Sequence, residues 1–181
     1  NCDRNTFIHR LGIDQLHPDG TLKLDPSGAP IPTYDQRVIA EMAKVFTGLS
    51  YSSTATNPNF RAGTANYLRP MQMYPALHEV SSKSIVGGRV LPANQSGEQD
   101  LKDTLDTLFQ HPNTGPLIAR QLIQRLVTSN PSPGYIYRVA QRFDNNGSGV
   151  RGDLGAVVRE FLLDYEARSP SLGESASFGK L

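Results

Sequence analysis

The stretch Leu117-Ile118-Ala119-Arg120-Gln121-Leu122-Ile123-Gln124-Arg125-Leu126-Val127 decides the fold class. Ile118, Leu122, Ile123, Leu126 and Val127 recur at three- and four-residue steps, while Arg120, Gln121, Gln124 and Arg125 fall outside that stripe. This is the period of a helix with one buried face, and it does not fit the strict alternation of a half-buried strand. Upstream, Ser96 stands three residues before Gln99 in the spacing of a capping box, and Leu101, Leu105, Leu108 and Phe109 form another stripe, which breaks at His111-Pro112-Asn113. Downstream, Asn130-Pro131-Ser132-Pro133 is a stop and restart, with Ser132 as N-cap and Pro133 at the first helical position. Ile136, Val139, Ala140 and Phe143 then face the core of a third helix. After a polar, glycine-rich turn from Asp144 to Gly152, a fourth is marked by Leu154, Val157, Val158, Phe161, Leu162 and Tyr165. Connections this short predict a mainly α fold, an antiparallel multi-helix bundle with residues 98–168 as its four-helix region.

Residues 1–97 read as a loop-rich segment packing with those helices as one domain, and 169–181 as a tail. Thr21-Leu22-Lys23-Leu24, the turn residues Asp25-Pro26-Ser27-Gly28, and Ala29-Pro30-Ile31-Pro32 predict a small hairpin or a pair of extended arms, kept to an edge by the prolines. Thr33 lies three before Gln36, again a capping-box spacing, and Val38, Met42, Val45, Phe46 and Leu49 predict a helix over 34–47, stopped by Gly48. Ser84-Ile85-Val86, Gly87-Gly88, Arg89-Val90-Leu91 reads as a short hairpin around two glycines. The remainder of 50–97 carries no sustained period, and a connection of that length in a compact domain is where a site is sought.

A formal net charge of +1 gives no general attraction to nucleic acid or to an anionic membrane. The single cysteine, Cys2, excludes an internal disulfide and a thiolate metal site built within the chain. No apolar stretch is long enough for a membrane span. The chain opens at Asn1 without Met and closes at Phe178-Gly179-Lys180-Leu181 with no terminal cue, and so is expected to be a fragment of a longer protein.

Three constellations carry possible chemistry. His78, with Glu79 and Lys83, precedes the Gly87-Gly88 turn; a His and a Lys on one loop suit acid/base work or an anionic ligand, and equally suit tethering the loop to backbone. Arg120 and Arg125 present guanidinium forks fit for carboxylate, phosphate or sulfate, and complete a candidate anion site with His78 and Lys83. Pairing of the arginines with Asp100, Asp103, Asp106, Asp153, Glu160 and Asp164, or covering core edges with their stems, is the favoured use. Asp144, Asn146 and Ser148 imitate the first positions of a calcium loop, but Gly155 stands where a bidentate Glu belongs. The four histidines have no zinc spacing, and no nucleotide-binding or nucleophile-elbow fingerprint occurs, so no cofactor is expected.

His111-Pro112-Asn113 through Val127, Asn130-Pro131-Ser132-Pro133, Tyr137-Arg138-Val139-Ala140, Phe143-Asp144-Asn145-Asn146-Gly147 and Val150-Arg151-Gly152-Asp153-Leu154, ending in Leu163-Asp164-Tyr165-Glu166-Ala167-Arg168, resemble in their order the C-terminal half of the bacterial family catalogued as domain of unknown function 1800. Ala43-Lys44-Val45-Phe46-Thr47-Gly48-Leu49 resembles that family's upstream segment, Gly179-Lys180-Leu181 resembles the start of its next block, and Asn1 to Arg10 depart from its pattern. The resemblance implies a mostly helical, exported protein, placed in the periplasm or outside the cell. It also implies a neighbouring gene for a second exported protein (family of unknown function 1501), and it carries no established activity. The leading expectation is a binding or assembly component at the cell envelope or beyond it, with self-assembly as one route. The alternatives are a hydrolase-like enzyme completed by a missing N-terminal portion, with His78 and Lys83 contributing, and a calcium-stabilised adhesion module.

Overall fold

The computed structural model describes residues 14–53 and 65–168. The chain forms two units, one of residues 1–33 with 112–181 and one of residues 34–111. Of the four helices expected after Ser96, the first lies in the 34–111 unit and the other three in the unit that contains residues 112–168.

In the first unit, α3 (Thr114–Leu126), α4 (Pro133–Asp144) and α5 (Leu154–Leu163), followed by the short α6 (Tyr165–Arg168), surround one core. Ala119 and Ile123 of α3, Tyr135, Ile136, Val139, Ala140 and Phe143 of α4, and Val157 and Phe161 of α5 are buried there. Ile118, Leu122 and Val127 pack partly against them, whereas Leu126, expected inside, is exposed. The restart before α4 is as its residues demand: Ser132 Oγ accepts the Tyr135 N–H at 3.1 Å, and Pro133 opens the helix. Tyr135 was not part of the expected stripe. It is buried because its phenol donates to the Phe161 carbonyl, which ties α4 to α5.

Three extended arms precede these helices, joined by antiparallel bridges Asp14–Pro32, Leu16–Leu22 and Leu24–Pro30. Their central hydrogen bonds close a ring: Gln15 N–H donates to the Ile31 carbonyl (2.8 Å), Ile31 N–H to Lys23 (3.0 Å), and Lys23 N–H to Gln15 (2.9 Å). The expected pair of arms is therefore a set of three. Asn113, buried at the start of α3, fixes the first arm: its Oδ1 accepts the Leu16 N–H (2.9 Å), and its Nδ2 donates to the Asp14 carbonyl (2.9 Å) and Thr33 Oγ1 (3.1 Å). Thr33 is thus used by Asn113 and does not cap the next helix.

The second unit contains α1 (Gln36–Val45), α2 (Gly97–Gln110) and three two-residue strand pairs: β1 (Leu49–Ser50) with β4 (Gln72–Met73), β2 (Ser52–Ser53) with β3 (Ala65–Asn66), and β5 (Lys83–Ser84) with β6 (Val90–Leu91). The N-cap of α1 is Asp35, whose carboxylate accepts the Val38 N–H at 2.9 Å, two residues past the expected cap. The glycine-turn hairpin is present as β5–β6, though a 3-10 turn over Val86–Gly88 replaces the two-residue connection. Gly48, at φ +79°, leads into β1, and a Cβ there would lie 2.8 Å from the Tyr74 carbonyl oxygen, so only glycine fits. The apolar core is small: Val45, Ile85 and Leu91, with Met42 against them.

α2 reverses the expected orientation. Ser96 caps it, accepting the Gln99 N–H at 3.3 Å, but Gln99 reaches forward to Asp103 and leaves the capping box half made. Its fully buried side chains are Asp100 and Thr104, while Leu105, Leu108 and Phe109 are exposed and Leu101 is half-buried. The polar face points inward because a buried cation waits for it there.

Replacing Asn113 with Ala strips partners from a buried N–H and a buried carbonyl, and is expected to destabilise the chain by about 2–4 kcal/mol. Urea unfolding of wild type and Asn113→Ala measures it; a loss below about 1 kcal/mol contradicts the clamp.

Candidate functional site

Of the four residues expected to form an anion site, His78 and Lys83 are brought together, on a residue not assigned to them. Asp100 Oδ2 lies 2.6 Å from Lys83 Nζ and 3.0 Å from His78 Nε2. Lys83 also donates to the Ser81 carbonyl at 3.0 Å, and His78 Nδ1 donates to the Thr47 carbonyl at 2.9 Å. Both ring nitrogens therefore face acceptors. Local chain structure positions each group: Lys83 opens β5, His78 ends the 3-10 turn Pro75–Leu77, and Asp100 sits in the first turn of α2, at the end of the helix that favours negative charge. Thr47 reinforces the loop by accepting the Glu79 N–H on its hydroxyl at 2.8 Å.

The cluster is sealed. The side chains of Lys83 and Asp100 are 0% exposed and that of His78 is 2% exposed. Asp100 Oδ1 and Thr104 Oγ1, one turn apart, are also buried and make no hydrogen bond among the described residues. A carboxylate whose second oxygen is already committed to a lysine and a histidine is an anchor for cations from its own chain, and no face of it is open to a substrate. Among the described residues no three His, Cys, Asp or Glu side chains converge as metal ligands.

Arg120 and Arg125 belong to α3 of the other unit. Arg120 is half-buried, and burial holds its guanidinium below the usual arginine range, while Arg125 is exposed. Three other arginines follow the favoured structural reading. Arg138 grips Asp164 with two hydrogen bonds (2.6 and 2.8 Å) and lies over the Tyr165 ring at 4.4 Å; Arg142 meets Glu160 at 3.0 Å, and Arg151 meets Asp144. The bond to Asp164 raises the Arg138 guanidinium further. Burial, with Asp164 and Glu166 nearby, pushes the Tyr135 phenol up to about 12.

The side chains of the calcium-like loop are engaged in the same way. Asp144 is paired with Arg151, and Asn146 Oδ1 accepts the Ser148 and Val150 N–H groups (2.9 and 3.2 Å) while its Nδ2 donates to Asp153 (2.8 Å). The oxygens that a cation would need close the loop on itself.

The order of elements and the pairs within them can be set beside known families. A model described as a protein of unknown function, DUF1800, matches residues 9–180. The chain belongs to the DUF1800 family. The match begins at residue 9, inside the Asn1 to Arg10 stretch that departs from the family's pattern. Neither the curated proteins nor the solved structures contain a match.

The open feature of this DUF1800 chain lies on the outside of α2. Leu101 and Leu105, with Leu49, Met71 and Met73, line a groove of about 340 Å³, bordered by Glu98, Lys102 and Asp106. Met73 packs so closely on the start of α2 that a Cβ at Gly97 would lie 2.6 Å from its sulfur. Lys102 and Asp106 pair with each other at 2.6 Å along the helix. The apolar row of α2 was visible in the sequence, but not the fact that it faces out. Met71 and Met73 lie in the aperiodic stretch and gave no signal.

Two stability tests follow from these clusters. Asp100→Ala leaves the Lys83 cation buried without its carboxylate and is expected to cost about 3–5 kcal/mol, while Lys83→Met combined with Asp100→Leu costs far less than the two single changes summed. Additive losses in denaturant melts contradict the buried pair. For Asp164, burial pulls the carboxyl upward, but the Arg138 and Glu166 N–H bonds and the charges of Arg138 and Arg168 outweigh it, and the folded-state value lies below the ordinary 3.8. Its stabilisation is therefore complete above 3.8 and is lost as the pH falls through the lower folded value. Unfolding measured across that acid range has a smaller slope in Asp164→Asn; equal slopes exclude the pairing as its source.

Proposed function

We propose that this DUF1800 chain is a non-catalytic binding or assembly component that works through the groove on α2, at the cell envelope or outside the cell. The observation that supports the reading is the inversion of α2. The groups with chemical potential, His78, Lys83 and Asp100, are spent inside as a sealed ion cluster, while Leu101, Leu105, Leu108 and Phe109 line up outside. Single apolar side chains on a surface need no explanation, but a contiguous row with a methionine-lined groove beside it has the composition of an adaptable docking surface. The hydrolase alternative asks His78 and Lys83 to reach a substrate, and their burial argues against it. Export, to the periplasm or the medium, rests on the family's implied character. On the same basis, the second exported protein of family 1501 is one partner of suitable placement.

An environment-sensitive apolar dye tests the groove. Folded wild type is expected to enhance its fluorescence, and Leu101→Glu with Leu105→Glu to reduce the enhancement several-fold, with far-UV circular dichroism and melting unchanged. Undiminished dye binding in that variant, or hydrolysis of simple ester and phosphoester substrates that is lost in folded His78→Gln, overturns the reading. Fractionation of the producing cells tests the location, and a purely cytoplasmic protein rejects it.

A further inference from the structure

The groove has a counterpart on the other unit. α5 buries Val157 and Phe161 but leaves Leu154, Val158 and Leu162 exposed by 56%, 40% and 48%. These three are a row at i, i+4 and i+8, and so are Leu101, Leu105 and Phe109 on α2. Each row runs about 12 Å along its helix. Rows at four-residue spacing form the ridges that interdigitate in the commonest class of helix packing. Charge matches as well. Arg159, beside Val158, is exposed, and Glu98, at the edge of the groove, is exposed; neither makes an ion pair among the described residues.

We infer that the occupant of the groove is a second copy of this chain, the α5 ridge of one molecule seating on the α2 groove of the next with Arg159 facing Glu98. The inference rests on the reading of the groove as a docking surface, and it names the partner. The two faces are different patches, so the contact is head-to-tail: each molecule that docks still offers a free face, and association continues into chains or closes into a ring. Groove against groove would leave the α5 row uncovered and Arg159 without its carboxylate, which is why the crossed arrangement is chosen.

Sedimentation velocity and light scattering on the purified chain test this. Wild type is expected to grow past the dimer as concentration rises towards about 0.5 mM, the range of a weak contact of this size. Leu105→Asp destroys the groove and Val158→Asp the ridge, each at an exposed position, and both are expected to be monomeric with unchanged melting. Mixed in equal amounts they form a discrete one-to-one pair, since one keeps its ridge and the other its groove, and no larger species appears. Glu98→Arg and Arg159→Glu each weaken association by about tenfold and together restore it. A Val158→Asp variant that assembles like wild type, or a mixture that stays monomeric, overturns the proposal. So does wild type that remains monomeric throughout; if it still binds the apolar dye in the groove, the docking surface stands and only the identity of its occupant is wrong.

Discussion

A lysine ammonium with no exposed surface sets the terms for the whole 34–111 unit. Removing such a charge from water costs several kcal/mol unless a counter-charge and further hydrogen bonds go with it. Lys83 is held in place by the start of β5, beside Ile85 of the small core, so the counter-charge must come to it. Asp100 supplies it, at the price of turning the polar side of α2 inward. His78 then uses the same carboxylate oxygen and the Thr47 carbonyl, which ties the loop before β5 to the end of α1. Two cationic side chains of one loop thus meet on a single oxygen atom of α2, and both lose their partner when that oxygen is removed.

The consequence for α2 follows from helix geometry alone. Residues 100 and 104 lie on one face, and the side chains at 101, 105 and 109 are displaced from them by about a hundred degrees for each residue of offset. Burying the first pair rotates the leucines away from the core. In the other unit α4 has no buried charge on its inner face, its inward polar group is the Tyr135 hydroxyl, and its apolar stripe packs as its spacing says. Arg138 and Asp164 make their strong pair at the margin of that core, where the guanidinium keeps part of its hydration and the helix need not turn to meet it.

That contrast explains what was legible in the sequence. Ser132-Pro133, the stripe of Ile136, Val139, Ala140 and Phe143, and the glycine-turn hairpin were readable because each is decided by local chemistry: a cap, a ring that presets φ, a period, a turn. The inward side of α2 was not, because periodicity reports that a helix has two unlike faces and leaves open which one is buried. The convention that the apolar face goes inside fails when a distant residue brings an unpaired charge into the interior. His78 and Lys83 were identifiable as a pair from their proximity on one loop, but their shared partner is seventeen and twenty-two residues further on and resembles any first-turn aspartate. The cap of α1 was misplaced for a related reason: Thr33 and Asp35 both fit locally, and it is Asn113, eighty residues away, that takes Thr33. Long-range polar contacts are what a reading by local pattern cannot weigh.

The buried carboxylate and the exposed row are one fact seen from two sides. A sequence free to place its leucines inside would gain about 1.5–3 kcal/mol for each fully buried side chain, and so small an apolar cluster has need of it. Retaining Lys83 forgoes that gain. Replacing a buried ion pair with apolar groups often leaves a fold as stable or more so, and stability by itself therefore does not account for the arrangement. What the ion cluster secures is orientation: it fixes which side of α2 meets solvent, with a specificity that apolar packing, which tolerates rotation and exchange, does not provide. A helix held this way presents Leu101 and Leu105 in one register, beside Met71 and Met73, before any partner arrives. Preorganisation of that kind lowers the entropic cost of docking.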